Sequence, residues 1–283
     1  MVQFFGHLLP QIGIDSFNFD PKLMWMRFVF LLLTLSSCST TVERNTVLPT
    51  DGKSGGIIYF PSNVDTQTYK VIKDNQNFYI VGLPYVTEDQ VVNIGNSEIL
   101  VKAVDYGESR ITIDNPTFVS PTLEERERAS AEYLLVQKLI AQQTEQLTFD
   151  LEFISPVDAL ITSPYGKKRF INDAPRSPHL ATDIRGKEGT PIIAPKDGRA
   201  VLVANHFYSG NIVILDHGGG LFSSYSHMQK HNILEGDVVK KGTVIGFVGS
   251  TGRVTGPHLH WTIYLNENRI NPELFIELDY LQD

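Results

Sequence analysis

Four histidines and one aspartate fall in three short motifs between residues 179 and 260. The first to weigh is His258-Leu259-His260. In a β-strand, residues i and i+2 point to the same face. The two imidazoles then sit side by side while Leu259 turns to the opposite face. Two neutral imidazoles on one face suit a zinc ion, with each coordinating nitrogen ~2.0–2.1 Å from the metal. Alternatively, one holds the metal and the other works on water. The plain reading is a pair of exposed strand histidines. The second motif is His179-Leu180-Ala181-Thr182-Asp183. An ideal strand would place its two end side chains ~13 Å apart, so sharing an ion requires a bend. Pro178 and the small Ala181 allow one. Taken alone, a His-x3-Asp pair arises by chance. The third motif, Tyr225-Ser226-His227, ends an apolar run, where a single histidine is usually inert.

These groups need a scaffold, and the surrounding sequence is mostly strands and tight turns. Pro191–Ala194 and Arg199–Val203 flank Lys196-Asp197-Gly198, a hairpin signal. Asn211 to Leu215, Phe222 to Ser226, Thr243 to Val248 and His258 to Leu265 read as further strands with no helical period between them. Residues 150–276 should therefore form a mostly antiparallel β domain. From residue 56 to 120, runs rich in Val, Ile, Tyr and Phe are separated by Asn, Asp, Gly and Pro clusters. This predicts a small N-terminal β domain. Residues 121–149 are read as a linking helix: Thr122 and Glu125 have capping-box spacing, and Ala131, Leu135 and Leu139 recur at i, i+4, i+8. The fold class is mainly β, with one helix joining two β regions.

In their order along the chain, His-x3-Asp, Tyr-x-His and His-x-His resemble the lysostaphin-type zinc peptidases, a family with a duplicated hybrid motif fold. The connecting segments are similar too. They include Ser163-Pro164-Tyr165-Gly166 with Arg169, Gly189-Thr190-Pro191, Gly210-Asn211-Ile212-Val213, Gly249-Ser250-Thr251-Gly252, Thr255-Gly256-Pro257 and Asn271-Pro272. The resemblance covers about residues 150–276. Ala181 departs from the pattern, where glycine is common. The resemblance implies one zinc ion per chain held by His179, Asp183 and His260, with His227 and His258 as the catalytic pair beside it. Three protein ligands leave a fourth tetrahedral position open, the form of a catalytic zinc site. One of the pair would take the proton of the attacking water and the other would steady the developing oxyanion. Arg169 and Asn172 are candidate groove residues, against a default reading as exposed loop residues. The implied activity is endopeptidase hydrolysis of peptidoglycan cross-links, with stem peptides as substrate. In a Gram-negative cell the implied bond is a D-alanyl–diaminopimelate link. The alternative is a non-catalytic relative that activates wall amidases, which such relatives do after losing zinc ligands; here all three are present. A third reading makes residues 56–146 the working part of a wall-binding lipoprotein. Against this, those residues hold no chemical constellation, and the expectation is that they orient or cover the groove. His217, in a glycine-rich turn, reads as structural, and His206 and His231 as loop residues. Gly249–Gly256 lacks the Gly-Lys-Ser/Thr ending of a phosphate loop and reads as a turn walling the cleft.

Composition limits the alternatives. The 283-residue chain carries a formal net charge of −8, a poor match to nucleic acid, which is bound through Lys and Arg. The single cysteine, Cys38, excludes an intramolecular disulfide. It follows Arg27, the apolar run Phe28–Leu35, Ser36 and Ser37. That order of a cation, a short apolar stretch and small residues is a secretory signal. Leu35-Ser36-Ser37-Cys38 resembles the bacterial lipobox, whose cysteine is lipidated. The alternative is a free cysteine beyond an ordinary signal peptide. Residues 1–25 do not fit a signal, and Met24 or Met26 suits a start. Residues 39–55 read as a flexible tether and 277–283 as a tail. The resemblance places such a lipoprotein in the cell envelope, and Ser39 suggests the periplasmic face of the outer membrane.

Overall fold

The central strands of the large sheet are buried on both faces: Val213 and Leu215 join one core cluster, Ile212 and Ile214 another. A computed structural model describes residues 48–64 and 68–276; Cys38, the segment before it and the tail lie outside the described residues. Ten strands make the principal sheet. Its main path runs Val238–Val239, Gly198–His206, Gly210–Asp216, Leu221–His231, His258–Leu265, Thr182–Arg185 and Ile161–Ser163. All these neighbours are antiparallel, as expected. Behind the site, Ile184, Val213, Tyr225, Leu259, Trp261 and Ile263 are completely buried. The same core takes in Tyr69, Val71 and Ile80 from the N-terminal strands. The described residues therefore form one compact unit.

Several local expectations are corrected. No hairpin closes over Lys196-Asp197-Gly198. Pro191–Ile193 pairs with Val244–Val248 instead, and Gly198–His206 pairs with Gly210–Asp216 and Val238–Val239. The Asp197 carboxylate accepts from Lys240 Nζ and the Lys241 amide, each at 2.8 Å, and these bonds tie the turn to a distant segment. His206 and His231 end strands rather than lying in loops. Residues 51–53, inside the expected tether, form a strand parallel to Ser97–Lys102.

The helix spans Leu123–Ile140, with both halves of the Thr122/Glu125 capping box formed. Its inward face matches the predicted one only in part: Leu139 packs against the body as expected, but the buried residues are Val136 and Ile140. Val136 and Ile140 pack on Leu202, Ile212, Ile214, Phe222 and Tyr264. Burying these two side chains contributes roughly 3 kcal/mol or more before ordering costs. One turn and two turns earlier on the same face, Glu132 accepts from the Phe207 amide and Arg128 donates to the Asn205 carbonyl. Leu135, from the expected face, is exposed.

The strand Glu108–Ile111 leaves the N-terminal sheets and runs parallel to Lys168–Ile171. Asn172 and Asp173, both at positive φ, form the two-residue turn between Lys168–Ile171 and Ala174–Arg176. Asn172 then brackets Ile113, accepting from its amide at 2.9 Å and donating to its carbonyl at 3.0 Å.

Candidate metal centre

Sheet register brings the distant motifs together. Asp183 stands opposite His260, and His260 stands opposite Ser226 on its other side. Directly opposed residues hold their Cβ atoms ~4.5–5.5 Å apart. His258 and His260 share the open face, while Leu259 between them is fully buried. His179 lies just before its strand, where its backbone is fixed by bonds to Gly166 and Lys167. The bend returns its ring to Asp183. Ala181, inside the bend, is fully buried.

The resulting contacts are tight. Asp183 Oδ1 lies 3.0 Å from His179 Nε2 and 2.8 Å from His260 Nδ1, and those two nitrogens are 3.2 Å apart. Ligand atoms ~2.0–2.1 Å from a tetrahedral zinc would be ~3.3 Å from one another. Among the described residues, His179, Asp183 and His260 are the group of this kind able to hold an ion. Two imidazoles and one carboxylate suit zinc chemically.

Tautomers follow from the outer partners, because a carbonyl only accepts. His179 Nδ1 faces the Pro164 carbonyl at 3.4 Å, so its Nε2 lone pair points at the cluster. His227 Nδ1 donates to Thr251 O and His258 Nδ1 to Gly256 O, each at 2.9 Å. A neutral His227 ring then accepts at Nε2, and His258 Nε2 lies 3.7 Å from Asp183 Oδ1. The His227 and His258 ring centres are 5.1 Å apart, and those of His227 and His260 5.6 Å. Burial raises the affinity of the Asp183 carboxyl for a proton, but the adjoining His179 and His260 rings outweigh it and hold the pKa well below the usual carboxylate range. Burial lowers His227 well below an ordinary histidine, assisted by His260 and His258, and pushes His260 down to about 4. Both rings are thus neutral at pH 7, as a ligand or a proton acceptor must be.

His227 has φ +64°, a conformation uncommon for a residue with a side chain. It sits where one extra residue interrupts the pairing with Gly210–Asp216. Such a bulge re-aims a side chain. Its amide donates to Ser209 O. Gly210 is packed against the Thr251 carbonyl that orients the His227 ring: a Cβ there would come 2.4 Å from Thr251 C and 2.5 Å from its O, at φ +61°. Gly210→Ala is therefore expected to displace that carbonyl and reduce turnover roughly 10²-fold, the scale of a ~1 Å misplacement. Zinc content, measured alongside, should stay unchanged.

A cleft of about 540 Å³ lies over these groups, bordered by Arg169, Asp183, His227 and His258. The Arg253–Pro257 loop forms one wall and the strand Glu108–Ile111 another. A second cavity of about 470 Å³ shares Arg169, Arg253 and His260 with the first. Helix residues Glu132, Tyr133 and Val136 help line it. Asn172 lines neither, its amide being spent on Ile113. His217 is buried away from the cleft, donating from Nδ1 to Asp197 O and accepting at Nε2 from Ser223, each at 2.7 Å. Arg253 and the 108–111 wall were not among the sequence candidates. The available signal for Arg253 was its place as the one charged residue in the Gly249–His260 segment apart from the histidines.

The model for peptidase family M23 matches residues 177–272, which contain all five clustered side chains. This region belongs to peptidase family M23. The chain also resembles named proteins over a somewhat longer stretch. It is 38% identical over 119 residues to the peptidoglycan DD-endopeptidase ShyA of Vibrio cholerae, covering 41% of this chain and 28% of that protein. It is 38% identical over 112 residues to the DD-carboxypeptidase/endopeptidase Mpg of Neisseria meningitidis, covering 40% and 26%. The chain thus spans little more than a quarter of the length of these relatives. A solved M23 peptidase structure from Pseudomonas aeruginosa covers more: 81% of this chain and 96% of its own, at 27% identity and a TM-score of 0.62. That likeness extends past the M23 region into the strands that precede it.

Proposed function

We propose that this protein is a zinc-dependent endopeptidase that hydrolyses the peptide cross-links of bacterial peptidoglycan. One observation carries the reading. Three ligand atoms of His179, Asp183 and His260 converge within 2.8–3.2 Å of one another, with the Nε2 atoms of His227 and His258 beside them. His179, Asp183 and His260 would hold one zinc ion per chain. When bound, zinc supplies Lewis acidity, easing deprotonation of water and polarising a carbonyl. The chain's own residues do the rest. With Nδ1–H held by a carbonyl in each ring, the Nε2 atoms of His227 and His258 face the two proton tasks: one would receive the proton of the attacking water, and the other would carry a proton at Nε2 with which to donate toward the developing oxyanion. Their Nδ1–H groups are committed to carbonyls, which fixes ring orientation through the cycle.

The relatives named peptidoglycan DD-endopeptidases support the substrate class. A complete set of ligands and both proton-handling histidines favour an enzyme over an inactive activator of amidases. Anchoring through Cys38 to the periplasmic face of the outer membrane would place the groove before the wall, and two or more acyl chains would hold it there. Two cavities that meet at His260 suit a substrate with peptide on both sides of the scissile bond. The test is incubation of the zinc-loaded mature protein with isolated peptidoglycan. Uncross-linked muropeptides are the expected product; no release, with stimulation of an amidase, would replace this reading with the activator.

A further inference from the structure

Two of the cations that line the groove have too little negative charge around them. Arg253 stacks its guanidinium 4.2 Å from the Tyr208 ring centre. Among the described residues no carboxylate pairs with it. Arg169 has only Asp183, whose Oδ2 is 4.0 Å from one of its terminal nitrogens. Asp183 is itself a zinc ligand in the reading above, so its charge is shared. Arg169 Nε is enclosed by protein with no acceptor. Burial lowers the pKa of both guanidiniums, and for Arg253 the nearby Arg169 and Arg176 charges lower it further. Partly desolvated like charges without counter-ions are costly in an unliganded protein. They are useful where an anion arrives, because guanidinium–carboxylate pairs are charge-assisted and can be bidentate. Both arginines line both cavities, and so does His260 of the metal cluster. The chain as a whole is acidic, at −8, yet the two cavities are also lined by Arg110, Lys167, Arg176 and Arg269, so the groove is a local exception.

We propose that Arg169 and Arg253 form a carboxylate-binding subsite, which holds an anionic group of the peptide beside the bond being cut. The inference rests on the endopeptidase reading and adds the chemical character of its substrate: a peptide bearing a free carboxylate near the scissile bond. Arg253 is the better test residue, since it does not contact a metal ligand.

The experiment uses the zinc-loaded full chain and two soluble muropeptide dimers, one with free carboxylates and one with them amidated. KM and kcat are measured for wild type, Arg253→Gln and Arg253→Lys, with metal content and thermal unfolding on each preparation. The wild type should prefer the free acid. Arg253→Gln should raise KM for the acid about tenfold or more, the scale of a charge-assisted bond, with kcat within a few-fold. Its KM for the amide should barely move, and Arg253→Lys should recover part of the preference. A wild type that cleaves acid and amide equally, or an Arg253→Gln variant that keeps the preference, overturns the subsite and leaves the endopeptidase standing. A zinc-loaded wild type that cleaves neither dimer removes the endopeptidase reading, and the subsite with it.

Discussion

Replacing His260 with alanine is expected to abolish zinc retention and lower muropeptide release about 10⁴-fold, the scale on which catalytic groups that act as a unit fail. The expectation follows from geometry. His260 Nδ1 is 2.8 Å from Asp183 Oδ1 and 3.2 Å from His179 Nε2, so it forms one corner of the ligand triangle. Two remaining ligands hold zinc far less well than three, and nothing else among the described residues completes the set. The fold should survive. His260 lies on the open face of a central strand, and the core beneath it comes from Leu259 and Trp261, both fully buried. Metal analysis after dialysis and a thermal unfolding curve check both halves. A folded variant with one equivalent of zinc would remove His260 from the ligand set.

His227→Ala should behave in the opposite way toward the metal. Zinc should stay, while turnover falls ~10²–10⁴-fold, the range for a positioned acid or base. His227 makes no contact with Asp183 Oδ1 or His179 at ligand distance; its Nδ1 is held by Thr251 O, which leaves Nε2 facing the cleft. The φ of +64° must be adopted by alanine too, and a thermal unfolding curve on the variant separates any added backbone strain from loss of the imidazole. Such strain is kept where the surrounding structure fixes it and function uses it. If His227→Ala and His260→Ala lose zinc equally, the division between ligands and proton-handling histidines is wrong.

Much of the site was legible because its information is local. The i, i+2 rule places His258 and His260 on one face without knowledge of the neighbouring strand, and burial of Leu259 follows from the same rule. The capping box at Thr122 and Glu125 is local as well. The hairpin at Lys196-Asp197-Gly198 failed because turn chemistry reports a reversal and not which strands pair after it. There, Asp197 is tied to Lys240 and Lys241, more than forty residues away in sequence. The helix face failed in part for a related reason. Arg128, Glu132, Val136 and Ile140 face the body, but two of those four are charged and bond to backbone groups, so hydropathy alone pointed to Leu135. The wall at Glu108–Ile111 depends on a parallel pairing across some sixty residues with Lys168–Ile171, and no local pattern announces it. That wall gives residues before the M23 region a place at the groove. Arg253 went unremarked because a lone arginine in a glycine-rich loop has no period and no partner; its meaning comes from being brought beside Arg169.

The central claim is that His179, Asp183 and His260 meet on one zinc ion that the enzyme needs in order to cut cross-linked peptide. Metal content and muropeptide release, measured on one preparation of the wild-type protein before and after chelation, test it most directly. One zinc per chain, release of uncross-linked muropeptides, loss of release on chelation and recovery when zinc is returned are the expected results. Release that persists undiminished in fully metal-free protein would contradict it.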